Sequence, residues 1–94
     1  MATGNEWALL QIIEDSYLGK AGQYILIEGD EGGVNIPIHK SVRLLYHTHP
    51  NSSNWPSNRD IDTLQDLFNA GSPYNYSSII AVIGTEFKQT WFFL

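Results

Sequence analysis

Cysteine is absent from this chain. That excludes disulfides, thiolate metal ligands and a thiol nucleophile, so a cysteine protease is ruled out and cysteine usage says nothing about redox compartment. Basic residues are scarce: five Lys and Arg stand against ten Asp and Glu, for a net charge of -5. A nucleic-acid-binding surface needs clustered Lys and Arg, and this balance argues against one. No stretch approaches the roughly 18 to 20 apolar residues of a membrane span, and the N-terminus lacks the basic and apolar regions of a signal peptide. Internal repeats, low-complexity tracts and linkers are missing as well, which leaves 94 residues to form one domain. With 43% hydrophobic and 13% aromatic residues, that domain has material for a single core.

What the chain does have is Tyr46-His47-Thr48-His49-Pro50, followed after a polar loop by Pro56-Ser57-Asn58-Arg59-Asp60. If the first stretch is a strand, alternation puts His47 and His49 on the same face, aimed at one spot. Asp60 follows His49 by eleven residues, with Ser57 three before it. Zinc favours nitrogen and oxygen donors, and catalytic sites usually supply three protein ligands and leave one position to water. His47, His49 and Asp60 fill that count. A metal lowers the pKa of bound water to about 7, so a carboxylate outside the ligand set has to take its proton. Ser57 and Asp60 also read as a helix start, with Ser57 as N-cap and Asp60 at the third helical position. Capping alone explains those two residues, but it does not explain two histidines on one strand face. The two roles are compatible.

This constellation resembles the signature of the JAMM (JAB1/MPN/Mov34) metallopeptidases: His-Ser/Thr-His, seven residues, Ser, two residues, Asp, with a glutamate well upstream. Every spacing downstream of the glutamate matches, and the sharp part of the resemblance runs from Tyr46 to Asp60. Other His-x-His families fit less well. A cupin needs a later histidine, and none follows His49; an amidohydrolase barrel needs about 250 residues. The resemblance implies an α/β fold in which a mixed β-sheet packs against a helix, with a JAB1/MPN-like (cytidine-deaminase-like) core. It also implies Zn2+ as cofactor, held by His47, His49 and Asp60, with Ser57 donating to the oxyanion. For the catalytic glutamate the choice lies among Glu6, Glu14, Glu28 and Glu31. The family's glutamate opens the first core strand, as Glu6 does in Glu6-Trp7-Ala8-Leu9-Leu10, and Glu28 is the runner-up.

The implied reaction is zinc-dependent hydrolysis of a peptide or isopeptide bond, with a protein or peptide substrate and ubiquitin-like conjugates in view. The chain lacks the insertions with which family members grip ubiquitin chains, and six residues before Trp7 cannot supply the usual leading helix. Residues 1–94 are therefore expected to be a minimal bacterial-type domain cut from a longer protein, with Met1-Ala2-Thr3-Gly4 as an added start. Two alternatives stand beside a housekeeping peptidase: a toxin or effector domain using the same chemistry, and a non-catalytic MPN-type binding module. Retention of all three ligands speaks against the last. A DNA-repair-associated relative should be basic, and this chain is acidic. Neither nucleic acid nor membrane is expected as a partner, and the expected location is the cytoplasm, or that of a delivered effector.

Along the chain, residues 6–14 form an apolar run that fits a buried strand, although Leu9, Leu10 and Ile13 would also share a helix face. A turn at 18–22 leads to a strand at 23–27, and the two strands should form a hairpin. Residues 34–38 suggest a short edge segment interrupted by Pro37. His39, in a polar connection, reads as an exposed side chain rather than a ligand. Residues 41–49 are the central strand. In the loop that follows, Trp55 reads as a lid on the core edge or as a substrate contact. From 58 to 70 the pattern is helical, with Ile61, Leu64, Leu67 and Phe68 facing the core and Asp62, Gln65 and Asp66 facing away. Two strands, at 78–83 and 87–94, close the chain, and the first is apolar enough to be buried on both faces.

Overall fold

The computed structural model describes residues 4–50 and 55–94. The first three residues, and the polar loop over 51–54, lie outside the described residues. Five strands and one helix follow in order: β1 (Trp7–Ile12), β2 (Tyr24–Glu28), β3 (Val42–His49), α1 (Asn58–Asn69), β4 (Tyr76–Ile83) and β5 (Glu86–Phe93). They build one mixed sheet in the order β2-β1-β3-β4-β5. Every neighbouring pair is antiparallel except β3 and β4. A parallel pair needs a crossover, and α1 lies within that crossover.

The ambiguous first run is a strand. Ala8, Leu10 and Ile12 are fully buried while Trp7, Leu9 and Gln11 are only partly so, the alternation of a pleated strand and not a helical stripe. It forms the expected hairpin with β2. On its other side β1 pairs with β3 through a β-bulge: Leu9 faces Tyr46 but Leu10 faces Leu44, leaving Leu45 without a partner on β1. The bulge resets the alternation of β3. Val42 and Leu44 face the core before it, and His47 and His49 face the same side after it, opposite Ala8 on β1 and beside Ile79 and Ala81 on β4.

β3 and β4 pair only from His47 to His49. Upstream of that, carbonyls on β3 need other donors, and three serine hydroxyls supply them: Ser72 Oγ to Val42 O at 2.8 Å, Ser77 Oγ to Leu44 O at 3.0 Å and Ser78 Oγ to Leu45 O at 3.0 Å. A buried carbonyl left unpaired costs about 1–3 kcal/mol, which explains polar residues inside an otherwise apolar strand. Ser77, Ser78, Ile79 and Ala81 are all buried, in keeping with a central β4.

The helix matches its expected span to within a residue, but its buried face is rotated. Leu64 and Leu67 are buried, whereas Ile61 is 40% and Phe68 43% exposed. At 100° per residue, positions 60, 64 and 67 share one stripe, and Ile61 and Phe68 sit well to one side of it. The stripe is therefore led by Asp60, whose carboxylate meets the sheet, and this carries the two flanking apolar residues outward. Two other expectations also fail. Residues 34–38 form no strand; an isolated bridge between Asp30 and Gly33 precedes them, Pro37 has no N–H to donate, and Val34 and Ile36 pack on the core as irregular chain. Trp55 is 69% exposed, so it does not cap the core. Among the described residues no helix is long and apolar enough to cross a membrane.

Leu67 joins the cluster of Ala8, Leu10, Ile12, Val42 and Leu44. Leu67→Ala should lower the unfolding free energy by about 2–5 kcal/mol in urea titrations. Phe68→Ala should cost about 1 kcal/mol or less, and equal losses at both positions would contradict the orientation of the helix.

Candidate metal centre

His47 and His49 stand at the C-terminal end of β3, 4% and 8% exposed. Their Nε2 atoms are 3.2 Å apart. The His47 ring is held edge-on against Phe92 from β5. Asp60 arrives from the first turn of α1, where Ser57 is the N-cap and a full capping box forms: Ser57 Oγ accepts from Asp60 N at 3.2 Å, and Asp60 Oδ2 accepts from Ser57 N at 2.8 Å. The same carboxylate reaches both histidines, Oδ1 lying 2.9 Å from His47 Nε2 and Oδ2 3.2 Å from His49 Nε2. One carboxylate thus caps the helix and meets the histidine pair.

These separations permit a test of fit. Donors about 2.0–2.1 Å from a tetrahedral zinc lie about 3.3 Å from one another. The Nε2–Nε2 separation of 3.2 Å is close to that edge length, and Asp60 meets the pair through two different oxygens, Oδ1 at 2.9 Å from His47 and Oδ2 at 3.2 Å from His49. The donor chemistry agrees: two imidazole nitrogens turned on one point oppose each other unless protons or a cation lie between them and the carboxylate. The residues fit a small divalent metal with nitrogen and oxygen ligands.

Glu6 completes the group. Its backbone extends the β1–β2 ladder, with Glu6 N donating to Asp30 O at 2.9 Å and Gly29 N donating to Glu6 O at 2.8 Å. Next to it, Trp7 N donates to Thr48 Oγ1 at 2.9 Å, which ties the start of β1 to the histidine-bearing end of β3. The ligand atoms of Glu6, His47 and His49 all lie within 4.8 Å of one another. Glu6 is part-buried and the histidines are buried, so the three form a candidate metal-binding cluster. Burial raises the Glu6 pKa above its ordinary value, with the histidines opposing and Asp60 adding to the rise. Burial pushes the Asp60 carboxyl the same way, but the hydrogen bonds from His47 and His49 outweigh it and hold Asp60 well below the usual carboxylate range. The two carboxylates are therefore shifted in opposite directions, Glu6 upward and Asp60 downward.

The remaining sequence candidates lie elsewhere. Glu28 accepts from Asn5 Nδ2 at 3.1 Å, and Glu14 is 3.9 Å from Lys40. His39 is part-buried, not exposed, and its Nδ1 is 2.8 Å from Ser41 Oγ. Ser57 does line the site, at the rim of a cavity of about 230 Å³ that also takes in Glu6, His47, His49 and Asp60. The rest of the lining was not foreseen: Val34, Ile36 and Leu44 are apolar, and Arg59, Thr63, Gly32 and Gly33 complete it.

Comparison of the chain with family models, curated proteins and solved structures gave no match in any of the three. The cluster itself thus carries the functional reading.

Purified protein stripped of metal should take up close to one zinc per chain by mass spectrometry of the native protein, and His47→Ala or Asp60→Ala should lose most of it. A wild-type chain that takes up none would remove the site. In the metal-free state, the stabilising effect of ionised Asp60 should be complete above its unfolded pKa of about 3.9 and should fade as the pH falls below that value. Urea unfolding of wild type and Asp60→Asn between pH 5 and pH 2.5 reads this directly: the wild type should lose more stability on acidification, and parallel losses would contradict the ion pairs.

Proposed function

We propose that this chain is a zinc-dependent hydrolase of peptide or isopeptide bonds, a minimal JAMM-type domain with a JAB1/MPN-like core. The observation that carries the reading is convergence. Glu6, the His47 and His49 pair, Ser57 and Asp60 come from separate parts of the chain and line one cavity, in the order and spacing of the JAMM signature. His47, His49 and Asp60 are assigned as ligands, Asp60 because it stays ionised against both imidazoles. When bound there, zinc would supply Lewis acidity toward the scissile carbonyl and the attacking water.

The protein's own groups do the rest. Glu6, whose carboxyl burial holds above its ordinary pKa, accepts the water's proton at a carboxylate oxygen and passes it to the departing amine nitrogen. The oxygen of that water joins the acyl carbon as the C–N bond breaks. Ser57 Oγ accepts from Asp60 N, which leaves its own hydroxyl proton to donate to the developing oxyanion. Delivery as an effector or toxin would use the same groups, and a purely structural binding module would have no need of Glu6 beside the histidines.

Glu6→Gln should retain zinc and the fold while losing turnover, because an amide cannot accept the proton. Asp60→Asn should weaken zinc binding itself. Ser57→Ala should keep zinc and slow cleavage by about 10²- to 10³-fold. Since it also removes an N-cap worth about 0.5–2 kcal/mol, the rate has to be read well below the variant's melting temperature. Zinc loss in Glu6→Gln equal to that in Asp60→Asn would make Glu6 a ligand and overturn the assignment of roles.

A further inference from the structure

The cavity beside the histidines is lined by two unlike sets of residues, and the hydrolase reading uses only one of them. Its volume of about 230 Å³ falls below the roughly 300–1,000 Å³ of pockets for drug-sized ligands, so it has room for about one residue and the amide joined to it. The unused set combines three apolar residues, Val34, Ile36 and Leu44, with a guanidinium. Arg59 has five N–H donors, and two contacts engage it: Nη2 to Asn35 Oδ1 at 3.0 Å and Nη1 to Gly32 O at 3.4 Å. It packs against Gly33 with its Nη1 end leading, where φ is +156°, which suits glycine, and where a Cβ would collide with Nη1. The guanidinium is thus held in place, exposed, with donors left over.

We propose that this set forms a subsite for the carboxyl-terminal residue of a peptide: Arg59 takes its α-carboxylate, Val34, Ile36 and Leu44 take an aliphatic side chain, and the amide preceding that residue is the bond cleaved. The proposal rests on the hydrolase reading and names its substrate class. Hydrolysis then releases a free aliphatic amino acid, its nitrogen taking the proton that Glu6 carried, and leaves a new carboxylate on the shortened chain. Guanidinium and carboxylate match in a two-pronged geometry that an amide cannot reproduce.

Binding and cleavage test it separately. N-acetyl-L-leucine, N-acetyl-L-leucinamide and N-acetylglycine are titrated into metal-free protein and followed by NMR, and a peptide ending in leucine is offered to zinc-loaded protein as free acid and as amide. The leucine acid should bind roughly 10- to 100-fold more tightly than its amide, the scale of one charge-assisted contact, and more tightly than N-acetylglycine. Arg59→Gln should reduce the acid-to-amide ratio to about one, and Arg59→Lys should leave an intermediate ratio. Equal binding of acid and amide by the wild type would overturn the proposal. So would a preference that survives in Arg59→Gln, because the carboxylate would then be sitting on the histidines. Cleavage of both peptides at equal rates keeps the hydrolase and removes the subsite, whereas selective binding lost in Arg59→Gln without any cleavage keeps the subsite and removes the hydrolase.

Discussion

The Asp60 carboxylate joins the two halves of this structure. It caps α1 through Ser57 and meets both histidines of β3, so the start of the helix and the end of the central strand are fixed to each other at one point. The orientation of the helix follows from it. With Asp60 directed at the sheet, Leu64 and Leu67 come next along the same stripe and enter the two apolar clusters, one each. A buried carboxylate is costly unless it is ionised against partners, and here two imidazoles and a backbone N–H supply them. The polar contact that organises the fold shares its two histidines with the candidate metal-binding cluster of Glu6, His47 and His49.

The β-bulge at Leu45 is the second constraint. A regular β3 would place Val42 and Leu44 on one face and His47 and His49 on the other, separating the histidines from the helix and from Glu6. One inserted residue puts all four on the same side, and the serine hydroxyls of β4 satisfy carbonyls at and beside the distortion. The bulge therefore delivers the two histidines of the candidate metal-binding cluster to the rim of an apolar core without breaking the sheet.

Much of this was legible in the sequence. The histidine pair, the helix start at Ser57 and the five strands follow from alternation, capping residues and turn signals, and the spacing from His47 to Asp60 singled out the residues that meet. The parts that were not legible share a physical character. A bulge leaves no mark in a run such as Leu44-Leu45-Tyr46, where every residue is apolar or aromatic. Ile61 and Phe68 looked like core because apolar periodicity cannot reveal that an aspartate leads the buried stripe. Residues 34–38 looked like strand because their alternation is real, yet Pro37 and the packing of Val34 and Ile36 make them a cavity wall instead. Glu6 was preferred among four glutamates only through the family resemblance, by its place before β1, and it is part-buried where Glu28 on the neighbouring strand is exposed.

The central claim is that two imidazoles and one carboxylate hold a zinc at the end of β3. X-ray absorption at the zinc edge of the loaded protein reads that coordination shell directly. The account predicts four nitrogen or oxygen neighbours at about 2.0–2.1 Å, with the outer-shell scattering of two imidazole rings. His49→Ala should reduce that scattering by half. A shell of oxygens alone, or imidazole scattering unchanged in His49→Ala, would contradict it.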